Sequence, residues 1–342
     1  MARQLPVFVA IVLLLGGCKM PMRAVTESHV TTTMPPMIDN GPLAEFTVMA
    51  GDPASGDRIG LVDVDGLLLN SDFTGLSSFG ENPVALFREK LDHIAANRCY
   101  RGVVLRINSP GGGVTACDIM RRDLFAFKQR TGLPVVACLL DMGAGGAYYL
   151  ATAADQIVAH PTSVTGGIGV ILNLYNMEDA LAQFNVLGVP IKAGDKIDMG
   201  SPIRRQPDEV RAMLQTMADE FHNRFRDAVE QARPAHDPRH AEDFDGRVFT
   251  ATQALERRLI DAIGYLDDAV AATRQAAGRP AARVVLLHRR IDRARSPYAI
   301  TPNVPLQGSA LPLSLPGFER SRLPTFLYLW QPDPTLERWS GR

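Results

Sequence analysis

The sequence is poor in cysteine and histidine, and the few that occur are scattered. It has 4 cysteines and 7 histidines among 342 residues. Once Cys18 is assigned to the N-terminal signal described below, Cys99, Cys117 and Cys138 remain, and an odd number excludes a complete disulfide framework. Cys117 and Cys138 stand among apolar residues and are predicted to be buried core thiols. Because no cysteine has metal-ligand spacing with a histidine, no metal site is predicted.

The chain also lacks an excess of charge of either sign. Lys and Arg number 36 and Asp and Glu number 37, which gives a formal net charge of -1 with no basic run. A nucleic-acid partner is therefore not expected, since such binding depends on clustered positive charge. The glycines at 111–113 are not followed by the Lys-Ser/Thr pair of a phosphate-binding loop, so no nucleotide-type cofactor is predicted.

A hydrophobic run long enough to cross a bilayer is missing as well. The N-terminal stretch Leu5–Leu15 is too short to span about 30 Å as a helix, so it is interpreted as the apolar part of a signal peptide. It is followed by LGGC, which ends at Cys18 and resembles the lipobox of bacterial lipoproteins. The resemblance implies that residues 1–17 are removed and that lipid on Cys18 anchors the protein to a membrane on the periplasmic side. An ordinary signal peptide followed by a chance cysteine is the alternative.

The rest of the sequence divides into three parts by composition. Residues 18–57 are rich in Thr, Pro, Met and Gly and are predicted to be a flexible tether. Residues 58–278 alternate apolar strand patterns with helix patterns, which predicts an α/β domain with a mostly parallel sheet and helices outside. Residues 279–342 are a proline-rich extension. Its segment Phe326–Trp330 (FLYLW) has five consecutive apolar residues that are costly to expose, so we expect docking on the body or on another subunit rather than a disordered tail.

Five sequence motifs occur in an order that carries a family resemblance. They are INSPGGG (Ile107–Gly113), MGAGGAYYLA (Met142–Ala151), TGGIGVI (Thr165–Ile171), AGDKIDMGSP (Ala193–Pro202) and DGRVFTATQALERRLIDAIG (Asp245–Gly264). In this order and spacing they resemble the S49 serine peptidases, the family of signal peptide peptidase A, over about residues 58–275. The resemblance implies a ClpP/crotonase-type fold of stacked ββα units, homo-oligomers and a peptide or protein ligand. It also implies a serine nucleophile, a lysine base of lowered pKa and backbone N–H groups that hold the oxyanion.

The residue that would act as the nucleophile is absent. Aligned with the family on Tyr148 and Tyr149, the serine position is Gly145. No serine, threonine or cysteine lies between Asp141 and Ala151, so a shift of alignment does not restore one. The sequence therefore predicts that this turn keeps its shape and lacks its reactive group.

The residue that would act as the base is displaced as well. Aligned on Gly194 and Pro202, the lysine position is Ile197, and Lys196 comes one residue earlier. If this segment is extended, neighbouring side chains point to opposite faces, so Lys196 is expected to face away from the site. Gly167 stands where the family usually carries a serine that supports the lysine.

Two further positions bear on the resemblance. Gly111 and Gly112 match the family's glycine turn and are predicted to form an oxyanion-type turn, with a plain strand-to-helix turn as the alternative. Arg258 stands where a glycine usually ends a helix in the left-handed conformation. If that conformation is kept, the arginine should cost up to about 1 kcal/mol.

Three functional hypotheses follow from these residues. The favoured one is a lipid-anchored, non-catalytic homologue that keeps a peptide-binding or scaffolding groove. The second is an active peptidase of membrane-associated or signal peptides with relocated residues, for which the candidates are Ser109, Ser163, Lys192 and Lys196. The third is a crotonase-type enzyme that stabilises a thioester enolate, which is the least supported because no cofactor site is recognised.

Overall fold

The computed structural model describes residues 41–71, 81–237, 239–290, 292, 294–301 and 326–330, together with the backbone of residues 74–75 and 78–79. Cys18 and the predicted signal peptide lie outside the described residues, as do most of the predicted tether and most of the proline-rich extension. Among the helices of the described part, none has both the length and the apolar character that crossing a membrane requires.

The described residues form twelve strands and seven α-helices, with a 3₁₀ turn at Ala241–Phe244. The strands are β1 (Ala44–Met49), β2 (Arg58–Leu68), β3 (Thr74–Gly75), β4 (Ser78–Phe79), β5 (Tyr100–Gly113), β6 (Val135–Ala144), β7 (Gln156–Ala159), β8 (Val164–Gly166), β9 (Val248–Thr250), β10 (Ala262–Ile263), β11 (Arg283–His288) and β12 (Leu327–Leu329). The helices are α1 (Pro83–Ala96), α2 (Val114–Thr131), α3 (Gly146–Ala151), α4 (Glu178–Gln183), α5 (Asp208–Ala232), α6 (Ala251–Glu256) and α7 (Leu266–Ala276).

The main sheet has the order β1-β11-β2-β5-β6-β7-β10. Along this order all pairs from β11 to β10 are parallel and the edge pair of β1 with β11 is antiparallel. Beside this order, β12 pairs with β5 and β9 pairs with β8, both antiparallel, and β8 pairs with β6 in parallel. Parallel neighbours need crossover connections, and the alternating strand and helix patterns of the sequence supply them. The predicted mixed α/β fold with a mostly parallel sheet is confirmed, in agreement with the ClpP/crotonase-type fold that the resemblance implies.

Helices cover both faces of this sheet, because the central strands are apolar on both sides. Along β5, Val103 and Leu105 belong to one buried cluster and Val104 belongs to the other, as the alternation of side chains requires. The first cluster includes α1, α2 and α3, and the second is closed by α7. Cys117 lies in the first cluster and Cys138 in the second, so the prediction of buried core thiols is confirmed.

Local sequence signals account for several helix ends. The Asn82 side chain accepts hydrogen bonds from the amides of Val84 and Ala85 at the start of α1, where Pro83 needs no donor partner. Beyond α6, Arg258 has φ of 59°, so the left-handed conformation predicted for this arginine is confirmed. Its guanidinium donates a hydrogen bond to the carbonyl oxygen of Ala235, which fixes the side chain of this strained residue.

A buried ion pair ties the chain after β11 to the body. The Lys90 ammonium on α1 lies 2.5 Å from Asp63 Oδ1 on β2, and both side chains are 1% exposed. The Thr301 hydroxyl lies 2.9 Å from Lys90 Nζ, and the Thr301 amide donates to Asp63 Oδ2 at 2.8 Å. The buried Lys90 and Asp63 side chains thus hold Thr301 in place on the body. Thr301 is the last residue described before the gap at 302–325.

Replacing Lys90 should therefore destabilise the fold strongly. Lys90→Ala removes the nearer of the two cations beside the buried Asp63 carboxylate, since among the described residues only Arg106 at 3.7 Å remains, and should lower the free energy of unfolding by about 3–5 kcal/mol in chemical denaturation. The control is Lys196→Ala, whose exposed pair with Glu209 should contribute about 0–1 kcal/mol. Equal losses for the two variants would contradict this assignment.

Candidate functional site

The predicted nucleophile position lies at a sharp turn between β6 and α3. Gly145 has φ of 54° and ψ of -128°, a conformation that favours glycine. Its amide donates to the Gly166 carbonyl oxygen at 2.9 Å, and its carbonyl accepts from the Tyr149 amide at 2.9 Å. The whole of α3 behind it is buried, so this turn is held rigidly against the core.

Main-chain oxygens fill the space that a side chain at this turn would occupy. A Cβ atom placed on Gly145 would lie 2.6 Å from the Tyr328 carbonyl oxygen and 2.9 Å from the Pro110 carbonyl oxygen. Real Cβ atoms do not approach oxygen that closely, so residue 145 has no room for a serine while Tyr328 is in place. The packing around Gly145 is therefore consistent with a glycine, and not a serine, at this position.

Sequence reasoning did not foresee that a thiol lies directly behind this turn. A Cβ atom on Gly146 would come within 2.2 Å of Cys117 Sγ, at the start of α2. Cys117 is fully buried, and burial raises the pKa of its thiol far above the usual range. Because the thiolate is the nucleophilic form, Cys117 does not replace the missing serine in this arrangement.

The glycine motif that was expected to turn is instead part of β5. The strand continues to Gly113, so Gly111 and Gly112 lie within β5, and their oxyanion-type role stays a prediction. Gly111 has φ of 102°, and its amide already donates to Ser109 Oγ at 3.0 Å. Gly112 is paired with Tyr328 in an antiparallel ladder. The family alignment placed these glycines at the edge of the site. The glycine-rich sequence alone does not show whether the chain forms a turn there or continues as a strand with an irregular register.

The position of the supporting serine does lie beside the nucleophile position. A Cβ atom on Gly167 would lie 3.2 Å from the Gly145 amide nitrogen and 3.3 Å from Trp330 Cβ. The Gly167 amide donates to the Arg247 carbonyl oxygen at 2.8 Å. The fold therefore brings Gly145 and Gly167 together although neither carries a reactive group.

The segment around the base position is not extended. Residues 195–200 form consecutive turns, so the alternation of faces assumed for Lys196 and Ile197 does not apply. The Ile197 side chain is largely exposed, and the Lys196 ammonium pairs with Glu209 at the start of α5. Lys192 pairs with Asp198 at 2.6 Å. Both lysines are thus engaged with carboxylates near the surface.

The two candidate serines have no lysine partner within the described residues. Ser109 is fully buried, and its hydroxyl accepts the hydrogen bond from the Gly111 amide. Ser163 is buried in the turn between β7 and β8, and its hydroxyl has no hydrogen-bond partner among the described groups. A serine nucleophile needs a base within hydrogen-bond reach, and the described contacts provide none for either residue.

The FLYLW segment, Phe326–Trp330, fills the groove in front of the turn, and we call it the strap. Tyr328 pairs with Gly112 at the end of β5, and the Trp330 amide donates to the Pro110 carbonyl oxygen at 3.2 Å. On its other edge, Leu327 exchanges two hydrogen bonds of 2.9 Å with Ile171. The expected docking on the body is thus observed, with the strap held between two chain segments through its backbone.

Comparison with known proteins places this arrangement in context. Residues 127–279 match the model of peptidase family S49. An Enterococcus faecium protein named after signal peptide peptidase SppA is 29% identical over 228 residues, which cover 67% of this chain and 65% of the relative. Protease 4 of Salmonella typhi is 30% identical over 218 residues, with coverages of 64% and 34%. The chloroplastic serine protease SPPA of Arabidopsis thaliana is 31% identical over 200 residues, with coverages of 58% and 29%.

The chain therefore spans slightly less than two thirds of the Enterococcus relative and about a third of the other two. Among solved structures, two mutants of the 1510-N membrane-bound stomatin-specific protease align with 64% of this chain. They have TM-scores of 0.41 and 0.38 at 14% and 12% identity and are covered over 84% and 80% of their length. The second of them is a complex with a substrate peptide.

Comparing alanine substitutions at Gly145 and Gly278 separates the cost of steric overlap from the cost of backbone strain. Gly278 also has positive φ, 62°, but nothing lies near the position of its Cβ. Gly278→Ala should therefore cost only about 1 kcal/mol of unfolding free energy. Gly145→Ala should cost at least about 2 kcal/mol more, because the added methyl overlaps the Tyr328 and Pro110 oxygens. Equal costs in urea denaturation would show that the space at residue 145 is open.

Proposed function

We propose that this chain, whose residues 127–279 match the model of peptidase family S49, is a catalytically inactive, membrane-anchored member of that family that retains a peptide-binding groove. The observation that carries the proposal is the filled space at Gly145, where two carbonyl oxygens stand at the position of a nucleophile side chain. In an S49 enzyme the serine and the lysine act as a unit, and losing one of them removes most of the catalysis. Here the serine position is glycine and the lysine position is an exposed isoleucine.

The retained groove is supported by the way in which it holds the strap. An extended segment bound on both edges through its backbone is the pattern of strand addition, which accepts peptides by main-chain hydrogen bonds. The donors and acceptors come from Pro110, Gly112 and Val114 on one side and from Ile171 on the other. These contacts need no catalytic residue, so binding survives the loss of chemistry.

Assembly into a homo-oligomer is part of the same proposal. The segment after α4 exposes several apolar side chains whose relative exposures are 75% or more, namely Phe184, Leu187, Val189 and Ile191. A monomer would leave this contiguous apolar stretch in water, which favours a covering surface from a second copy. We also propose the lipid anchor at Cys18 and a location on the periplasmic side of a membrane, as the lipobox resemblance implies.

The inactive state predicts a simple enzymatic result. The full chain should release no fluorophore from a mixed set of fluorogenic peptides and should not be labelled by a fluorophosphonate, because within the described residues neither Ser109 nor Ser163 has a lysine partner. Ser109→Ala and Lys196→Ala should leave the background unchanged. Turnover by the wild type that either variant abolishes would instead support the active peptidase with relocated residues.

The lipid anchor makes a separate prediction. When the full chain is expressed in a bacterium that processes lipoproteins, it should sediment with the membrane fraction, and Cys18→Ser should move it to the soluble fraction. Cys99→Ser, a cysteine substitution in the folded body, should leave the distribution unchanged. Retention of the Cys18→Ser variant in the membrane fraction would argue against lipidation at this residue.

A further inference from the structure

Three glycines surround one oxygen of the strap. The Tyr328 carbonyl oxygen lies 2.0 Å from the Cβ position of Gly111, 2.6 Å from that of Gly145 and 3.2 Å from that of Gly146. Glycine at the first two positions is therefore a condition for this carbonyl to enter. The strap places a peptide carbonyl at the point of the groove where the family alignment places the nucleophile.

The side chain of the same residue fills a pocket that suits a phenol. The Tyr328 ring is 0% exposed and packs with its centroid 5.2 Å from the Tyr149 ring and 4.8 Å from the Phe225 ring. Its hydroxyl donates to the Phe221 carbonyl oxygen on α5 at 2.6 Å. Burial raises the pKa of the Tyr328 phenol, so the hydroxyl remains a neutral donor. A phenylalanine would fill the same space but leave that carbonyl without this donor.

The neighbours of Tyr328 add apolar contacts on both sides. The Phe326 ring meets the Phe221 ring edge-on, with centroids 5.0 Å apart. Leu329 is buried, and Trp330 Cβ lies 3.3 Å from the position that a Cβ atom on Gly167 would occupy. The groove thus contacts an extended apolar segment along its length and recognises one tyrosine at its centre.

We propose that the strap is a built-in competitor for this groove, and that the ligand with which it competes is an extended apolar peptide carrying a tyrosine opposite Gly112. This rests on the proposed peptide-binding function and names the ligand class and the regulation of that site. The strap is covalently joined to Thr301, which the Lys90–Asp63 pair fixes on the body. A ligand attached in this way competes at an effective concentration of up to millimolar order, so micromolar free peptide is largely excluded while the strap is closed.

The first test measures peptide binding to the full chain with and without the strap's anchor. The probe is a fluorescein-labelled peptide of residues 324–332, PTFLYLWQP, and the readout is fluorescence anisotropy. Tyr328→Ala should bind the probe at least about tenfold more tightly than the wild type, because the apparent Kd scales with the inverse of the open fraction. The matched control is Tyr298→Ala, since Tyr298 is an exposed tyrosine of the same extension and its removal should change nothing. The same probe with alanine in place of tyrosine should bind the Tyr328→Ala variant at least about tenfold more weakly.

A cysteine pair tests the contact without weakening it. Leu327 and Ile171 are a hydrogen-bonded antiparallel pair, whose Cα atoms stand about 5.5 Å apart, within reach of a disulfide. After oxidation, a Leu327→Cys, Ile171→Cys double variant should remain monomeric on a denaturing gel and lose probe binding, and reduction should restore the wild-type affinity. Each single cysteine variant serves as the control for unrelated oxidation. A covalent dimer would overturn the intramolecular contact and assign the strap to a second copy.

The outcomes separate this inference from the proposed function. Equal probe affinity of the wild type and Tyr328→Ala would overturn the competing strap while leaving a peptide-binding groove. No probe binding by a folded Tyr328→Ala variant, verified by circular dichroism, would overturn the groove as a peptide site together with the tyrosine preference. Equal affinity of the tyrosine and alanine probes would overturn the tyrosine preference alone.

Discussion

A side chain at residue 145 and the carbonyl group of Tyr328 cannot occupy the same space. The distance of 2.6 Å between the Cβ position and that oxygen links three features of the molecule. Glycine at the turn permits the strap to enter, the strap fills the groove, and the filled groove has no room for a nucleophile. The lack of space for a side chain at residue 145 and the occupation of the groove are thus two consequences of one packing arrangement.

The same glycine also changes the energetics of the turn. A residue with a side chain at φ of 54° holds backbone strain of about 1–3 kcal/mol, which active enzymes maintain in order to present the nucleophile. Glycine adopts this conformation without that cost. The turn is nevertheless kept, because the Gly145 amide bonds to Gly166 and the buried helix α3 starts immediately after it. Packing alone therefore accounts for the geometry of this turn.

Much of this could be predicted from the sequence, and most of the failures concern contacts between distant segments. The apolar strand patterns and helix patterns predicted the sheet, because local periodicity reflects it, whereas the assignment of Gly145 and Gly167 to catalytic positions came from the family resemblance. The continuation of β5 through Gly111, the turns at 195–200 and the thiol of Cys117 behind the turn were not predicted. The strand continuation and the position of the thiol depend on contacts between segments distant in sequence, which periodicity does not encode. The turns are formed by local hydrogen bonds such as that from the Met199 amide to the Lys196 carbonyl oxygen, in a segment without a regular pattern. The docking of Phe326–Trp330 was expected from its apolar run, but its position in the groove was not.

The opposing free energies of loop closure and strap burial are similar in size, which explains how the strap can be bound most of the time and still dissociate. Even for an unstructured span, joining Thr301 to Phe326 across residues 302–325 costs about 3 kcal/mol of closure entropy. Burying the Tyr328 ring returns about 1.5–3 kcal/mol, and its hydrogen bond to Phe221 about 1 kcal/mol more. Phe326 and Leu329 add apolar contact, so the balance favours closure by a few kcal/mol rather than by tens. A balance of that size lets a matching peptide replace the strap at sufficient concentration, whereas the buried Lys90–Asp63 pair at the other end of the span holds the extension on the body throughout.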